Sequence, residues 1–249
     1  MTSAMLHAAP PLAIDITARP RTLGVLMLET RFPRPPGDIG HPQTFAFPVR
    51  HAVVRGASPR RVVHGTDPRL LQPFIDAGHR LIDEGADAIS TSCGFLVLFQ
   101  QALQDALTVP VWTSSLLLLP SLQAALPNGQ VVGIVTVDAA ALGEAHLRAA
   151  GAALDTPIEG LEPGCAFQRA LLDDEPTFDG DAARAATVAA AQALRRRRPD
   201  VGAIVLECTN MPPYADAVRA ATGRAVHDLI SLLTTRFPTA SVGERSNPG

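Results

Sequence analysis

The chain has 249 residues, of which 47% are hydrophobic, 18% charged and 4% aromatic, and its formal net charge is −3. That balance fits a soluble globule and argues against a nucleic-acid partner, which would call for a basic surface or a row of stacking aromatics. All 21 basic residues are arginines, and the absence of lysine excludes pyridoxal phosphate enzymes, lysine-imine aldolases and the Walker loop, whose lysine grips phosphates.

Residues 1–19 read as a loose leader. Pro10, Pro11 and Asp15 interrupt any apolar run, so no signal peptide or membrane span is expected, and the expected location is the cytoplasm. Thr22 to Leu28 is continuously apolar, as in a strand covered on both faces of a parallel sheet. The proline- and glycine-rich stretch from Arg31 to Pro42 follows it. Loops leaving the C-terminal ends of parallel strands bind ligands, which makes this one a candidate rim or lid. A second strand is expected over Phe47 to Val54. An amphipathic helix over Asp67 to Glu84 comes next, with Asp67 as N-cap and Pro68 in its first position. Gly85 stops that helix. Ala86 to Thr91 is a strand running into Cys93, Gly94 to Leu107 the helix leaving it, Val109 to Trp112 a further strand, and Ser114 to Leu126 a helix crossing to the second half.

The second half repeats this order. Gln130 to Val137 answers the first strand, helices are expected over Ala139 to Ala150 and Gly180 to Arg197, and Val201 to Leu206 is the strand into Cys208. Pro212 and Pro213 open the helix beyond it. Gly24 and Gly133 repeat at nearly the same period as Cys93 and Cys208, and Val109 to Trp112 is echoed by Arg224 to His227. A long period in an α/β pattern predicts an α/β fold of two pseudo-symmetric lobes, each a mostly parallel sheet flanked by helices, with the active site in the cleft between them. The expected lobes are 20–115 plus 229–240, and 116–228, with 241–249 a second loose terminus.

Two cysteines in repeated strand-to-turn contexts face one another in such an arrangement. A thiol at the start of a helix meets free backbone N–H groups and the positive end of the dipole, which predicts a lowered pKa. An opposed thiolate and thiol suit the removal of a proton from one face of a carbon and its return to the other. The bland alternative is that both cysteines are ordinary buried apolar residues. Backbone N–H groups at Gly94 and Thr209, the hydroxyls of Ser92 and Thr209 and the amide of Asn210 are candidates for cradling a substrate carboxylate; Ser92 and Thr209 equally suit helix capping. Ser114, Ser115, Thr136 and Asp228 follow strands and are candidate cleft residues. Glu29 is a candidate for holding an ammonium group, and Arg31 and Arg34 for pairing with a distal carboxylate. The three cysteines form no C-x-x-C pair and the seven histidines are scattered, so neither a metal nor a cofactor is signalled. Cys165 has no echo in the first half and reads as structural.

The duplicated halves, Thr-Ser-Cys-Gly at 91–94 and Glu-Cys-Thr-Asn at 207–210 resemble the aspartate/glutamate racemase superfamily, which includes hydantoin racemases, maleate isomerases and arylmalonate decarboxylases. The resemblance spans residue 22 to about residue 235. It implies a cofactor-independent racemase or epimerase with Cys93 and Cys208 as the acid/base pair, acting on a small carboxylate-bearing molecule such as an amino acid or a hydantoin. The second motif matches well. At the first, amino-acid racemases have Cys-Asn-Thr where this chain has Cys93-Gly94-Phe95, so the substrate stays open, as do cis-trans isomerisation and decarboxylation. A bilobal binding module with structural or redox cysteines is the reading from another class. The expected partner is a small-molecule carboxylate, with no nucleic acid and no membrane, and a homo-oligomer remains open.

Overall fold

Two four-stranded parallel sheets of the same strand order carry the chain. The structure is a computed structural model that describes residues 20–65 and 67–237. The termini expected to be loose, 1–19 and 241–249, lie outside the described residues, as do residues 238–240.

In the first half, β1 (Leu23–Leu28) is followed by β2 (Val49–Val54), α1 (Pro59–Val63), α2 (Leu71–Asp83), β3 (Ala88–Thr91), α3 (Gln100–Ala106) and β4 (Val111–Trp112). The second half runs α4 (Leu119–Ala125), β5 (Val131–Thr136), α5 (Glu144–Ala149), β6 (Ile158–Gly160), α6 (Ala166–Leu172), α7 (Gly180–Arg197), β7 (Val201–Leu206), α8 (Ala215–Thr222), β8 (Ala225–His227) and α9 (Leu229–Arg236). The sheet orders are β2-β1-β3-β4 and β6-β5-β7-β8, parallel throughout, so each strand of one half has its counterpart in the other.

All six β1 residues are buried because both faces of the strand are covered. Leu26 and Leu28 join Phe74, Ala77 and Leu81 of α2. Leu23, Val25 and Met27, alternating with them along the strand, pack against Leu229, Leu232 and Leu233 of α9 and against Phe237. The C-terminal helix therefore closes the outer face of the first sheet. Burial of each such aliphatic side chain contributes about 1.5–3 kcal/mol. The two glycines that mark the repeat hold matching places. A Cβ at Gly24 would lie 2.7 Å from Ile89 Cδ1 and 3.1 Å from Leu81 Cδ1, and one at Gly133 would lie 2.8 Å from Leu194 Cδ2. At Gly24 the neighbouring strand β3 leaves no room for a side chain, and at Gly133 the covering helix α7 leaves none.

Several expected helices are shorter or tighter than their periodicity predicts. Gly94–Phe99 is a 3-10 helix, and α3 begins only at Gln100. This stretch has no polar face, and its turns bury Phe95, Leu96, Val97 and Phe99 together. Ser115–Leu118 is likewise a 3-10 turn; α4 starts after it, with Pro120 in the first turn, where proline costs no hydrogen bond. The helix expected from Ala139 shrinks to α5, because the Asp138 carboxylate accepts from the backbone N–H groups of Ala140 and Ala141 and holds a turn there. The short α1, β6 and α6 carry no periodic signal and were not expected.

Candidate active site

β3 and β7 are the central strands that end at the two cysteines, and both point their C-terminal ends at the same place. Cys93 caps the 3-10 helix Gly94–Phe99, and Cys208 precedes the 3-10 turn Pro212–Tyr214. Together they line one cleft, shared with Ser92, Gly94, Glu207, Thr209 and Asn210, all at or just after strand ends. Leu28, Phe32, Val63, Phe95, Val137, Leu171 and Leu172 make the rest largely apolar, and Arg34 from the proline-rich loop enters as its one arginine among the described residues.

Hydrogen bonds lock the two cysteine-bearing turns together across the halves. Thr209 Oγ1 donates to the Ser92 carbonyl at 2.7 Å, and Ser115 Oγ donates to the Leu206 carbonyl at 2.8 Å. Ser92 Oγ accepts from Leu28 N at 2.8 Å, tying the first turn to the end of β1. The corresponding tie in the second half is made by Glu207, whose Oε2 accepts from Thr136 Oγ1 at 2.7 Å. Its Oε1 is buried without a hydrogen-bond partner. Gly94 sits against this carboxyl: a Cβ there would lie 2.2 Å from Oε1 and 2.5 Å from the Glu207 carbonyl oxygen. Only glycine fits beside a full-sized Glu207.

No protein-family model matches the chain. A dimethylsulfoniopropionate lyase from Durusdinium sp. clade D is 34% identical over 229 residues, covering 89% of this chain and 75% of that protein. Dimethylsulfoniopropionate lyase 3 from Emiliania huxleyi (strain CCMP1516) is 32% identical over 220 residues, covering 84% of this chain and 57% of its own length. The chain belongs to the dimethylsulfoniopropionate lyase family. Its fold is that of the aspartate/glutamate racemase superfamily. Allantoin racemase from Klebsiella pneumoniae superposes with a TM-score of 0.60 at 14% identity, over 87% of this chain and 86% of the racemase. Unliganded arylmalonate decarboxylase superposes with a TM-score of 0.58 at 18% identity, over 92% and 96%.

Within this member of the lyase family, six of the residues expected at the site do line the cleft: Ser92, Cys93, Gly94, Cys208, Thr209 and Asn210. Five others, Glu29, Ser114, Ser115, Thr136 and Asp228, are placed differently. Glu29 is exposed, its Oε2 accepting from Gly56 N at 2.8 Å, because β1 ends before it and turns it outward toward the β2 end. Ser114 is buried and spends its hydroxyl capping the Ser115–Leu118 turn. Ser115 spends its own on Leu206, and Thr136 lies behind Glu207 rather than at the cleft surface. Asp228 caps α9. Of the two loop arginines, Arg34 lines the cleft, whereas Arg31 reaches across the rim to Asp174. Cys165 caps α6, its sulfur accepting from Gln168 N. Among the described residues no helix is long and apolar enough to cross a membrane, and no cluster of three or more histidine, cysteine or acidic side chains is arranged to hold a metal ion.

The expectation of lowered thiol pKa values is reversed. Burial, and then the nearby Glu207 carboxylate, hold Cys93 well above the ordinary thiol range. The same two causes, in the same order, raise Cys208. The favourable backbone N–H groups are present, from Phe95 and Leu96 at Cys93 and from Asn210 at Cys208, but they are outweighed. The 3-10 turns that follow the cysteines are six and three residues long, so little dipole accumulates behind either sulfur. Burial raises Glu207 to about 7 against the opposing Thr136 hydrogen bond. Sequence reasoning passed over Glu207 as part of a motif. Its signal was a carboxylate directly continuing six apolar strand residues, where β7 has no exposed face to offer it. Asp38 was also missed. It is fully buried, accepts from Arg34 Nη1 at 2.9 Å and from Asn210 Nδ2 at 2.6 Å, and so anchors both to the cleft.

Proposed function

We propose that this protein is a lyase that eliminates dimethyl sulfide from dimethylsulfoniopropionate, or from a closely similar sulfonium acid, in the cleft shared by Cys93 and Cys208. The observation that carries the reading is the convergence of both cysteines on one small, mainly apolar cleft in a chain 34% identical to a lyase of that name. One sulfur, as thiolate, takes the proton from the carbon beside the substrate carboxylate. The electron pair left behind forms the carbon–carbon double bond, the carbon–sulfur bond of the sulfonium breaks, and dimethyl sulfide and acrylate leave. The proton on the cysteine then passes to solvent.

Backbone N–H groups of the turns after the cysteines, together with Arg34, receive the substrate carboxylate. Arg34 has given two of its five donors to Asp38 and Thr30, and the others remain to it. Leu28, Phe32, Leu171 and Leu172 offer the methyl groups an apolar wall. Ser92 and Thr209, already hydrogen-bonded within the protein, hold the turns in place.

A racemase or epimerase is the second reading. The pseudo-symmetric pair of thiols favours it, since one base suffices for elimination whereas inversion needs two. Headspace gas chromatography separates the readings. With dimethylsulfoniopropionate, the purified protein releases dimethyl sulfide, and Cys93→Ser or Cys208→Ser lowers the rate by roughly 10²–10⁴-fold, the usual contribution of a general acid or base. No dimethyl sulfide, with deuterium entering the α-carbon of a chiral acid in heavy water, would replace the lyase with the racemase.

A further inference from the structure

The charges around the cleft are unequal in their partners. Asp38 is matched by Arg34 and Asn210. Glu207 has only the Thr136 hydroxyl on Oε2, and among the described residues nothing answers Oε1. A buried carboxylate left without a counter-charge is costly, and its persistence calls for a reason.

We propose that Glu207 is the counter-ion for a fixed positive charge on the substrate, so that the site selects small acids bearing an onium group. The choice of sulfonium rests on the lyase reading above; the requirement for a cation rests on Glu207 itself. Three observations support the assignment. Oε1 is buried behind the cleft surface and crowded by Gly94, with no room for a donor side chain. An onium centre has no N–H to donate and needs only the field of a negative charge, which reaches further in a water-poor site. Its surroundings, Phe95 and Val137 among them, are apolar. Finally, the Glu207 charge is a shared cause of the raised pKa of both thiols. A cation beside Glu207 cancels that effect, so the arriving substrate itself eases the loss of a thiol proton: Cys–SH gives Cys–S⁻ and a proton to solvent, with no other bond changed. Glu207 thus acts by its charge on the substrate cation and on the two sulfurs, and not on the reacting carbon.

Two probes of the same shape test this: 3-(trimethylammonio)propionate and its uncharged-tail analogue 4,4-dimethylpentanoate, each titrated calorimetrically into the full chain. At pH 8 the wild type is expected to bind the onium acid at least about tenfold more tightly, a difference of about 1.4 kcal/mol. Glu207→Gln should reduce the preference to near unity and Glu207→Asp should retain part of it, with thermal melts verifying that both variants fold. The wild type alone provides a second arm. Its preference should fade from pH 8 to pH 5.5 as Glu207, titrating at about 7, takes up a proton. The other groups facing it are Thr136, the thiols of Cys93 and Cys208, which stay neutral through that range, and, beyond them, the Arg34–Asp38 ion pair. Equal binding of the two probes by the wild type at pH 8, or an undiminished preference in Glu207→Gln, overturns the assignment. Should dimethyl sulfide be released by a protein without the preference, the lyase reading stands and the counter-ion falls. A preference that Glu207→Gln abolishes, in a protein releasing no dimethyl sulfide, leaves the counter-ion and removes the lyase.

Discussion

The two halves place different residues at equivalent points of the same scaffold. Each central strand ends in a residue that ties back to the neighbouring first strand: Ser92 to Leu28 N in one half, Glu207 to Thr136 Oγ1 in the other. Ser92 is neutral and satisfied; Glu207 is ionisable and half-satisfied. The residues after the cysteines differ in step, a glycine in the first half because Glu207 occupies the space, a threonine in the second because it must reach across to the Ser92 carbonyl. The matched thiols follow the repeat of the fold, and the flanking positions break its symmetry in charge.

That contrast is open to direct measurement. The largest effect is expected from pH acting on Glu207. Its pKa is raised on folding from about 4.5 to about 7, so the native state binds the extra proton. Its stability is then greatest below pH 4.5 and declines as pH rises through 7, by about 2–4 kcal/mol from this group. Urea unfolding from pH 4.5 to 8 should show this decline in the wild type and not in Glu207→Gln, while Ser92→Ala keeps the wild-type slope. Next, Gly94→Ala should cost about 1–3 kcal/mol through overpacking against Glu207. Adding Glu207→Ala should return only part of this, since the Glu207 carbonyl stays 2.5 Å from the new methyl group. Ser92→Ala leaves the buried Leu28 N–H unsatisfied, with an expected loss of about 1–2 kcal/mol at every pH. Thr209→Val, which removes the bond between halves, should cost about 1 kcal/mol. A steeper loss there than at Ser92 would mean that the joint between the halves, rather than each turn, limits stability.

The strands were legible because their apolar runs are continuous, and the repeat because Gly24 and Gly133, then Cys93 and Cys208, recur in register. The cleft residues beside the cysteines followed from that symmetry. What escaped were features decided by contacts distant in sequence. Nothing local shows that Glu207 will press on Gly94 or that Asp38 will meet Asn210. Nor does local pattern reveal that burial and a neighbouring carboxylate outweigh the N–H groups at the sulfurs. Glu29, Ser114 and Ser115 stand at strand ends just as the cleft residues do, and only the twist and packing of the assembled sheets turn them elsewhere. The racemase expectation came from the superfamily as a whole, whereas the relatives found at 34% and 32% identity are lyases.

The mouth and floor of the cleft are fastened by different means. Around the rim, Arg31 meets Asp174, Arg60 meets Asp173 and His64 meets Asp138. These are solvent-facing pairs, of the kind that contributes at most about 1 kcal/mol each and weakens with salt. The floor is held by the buried Thr209–Ser92 and Ser115–Leu206 bonds. The outer pairs are therefore the more easily loosened fastenings, and high ionic strength should weaken the mouth while leaving the floor bonds, and with them the two cysteine turns, in place.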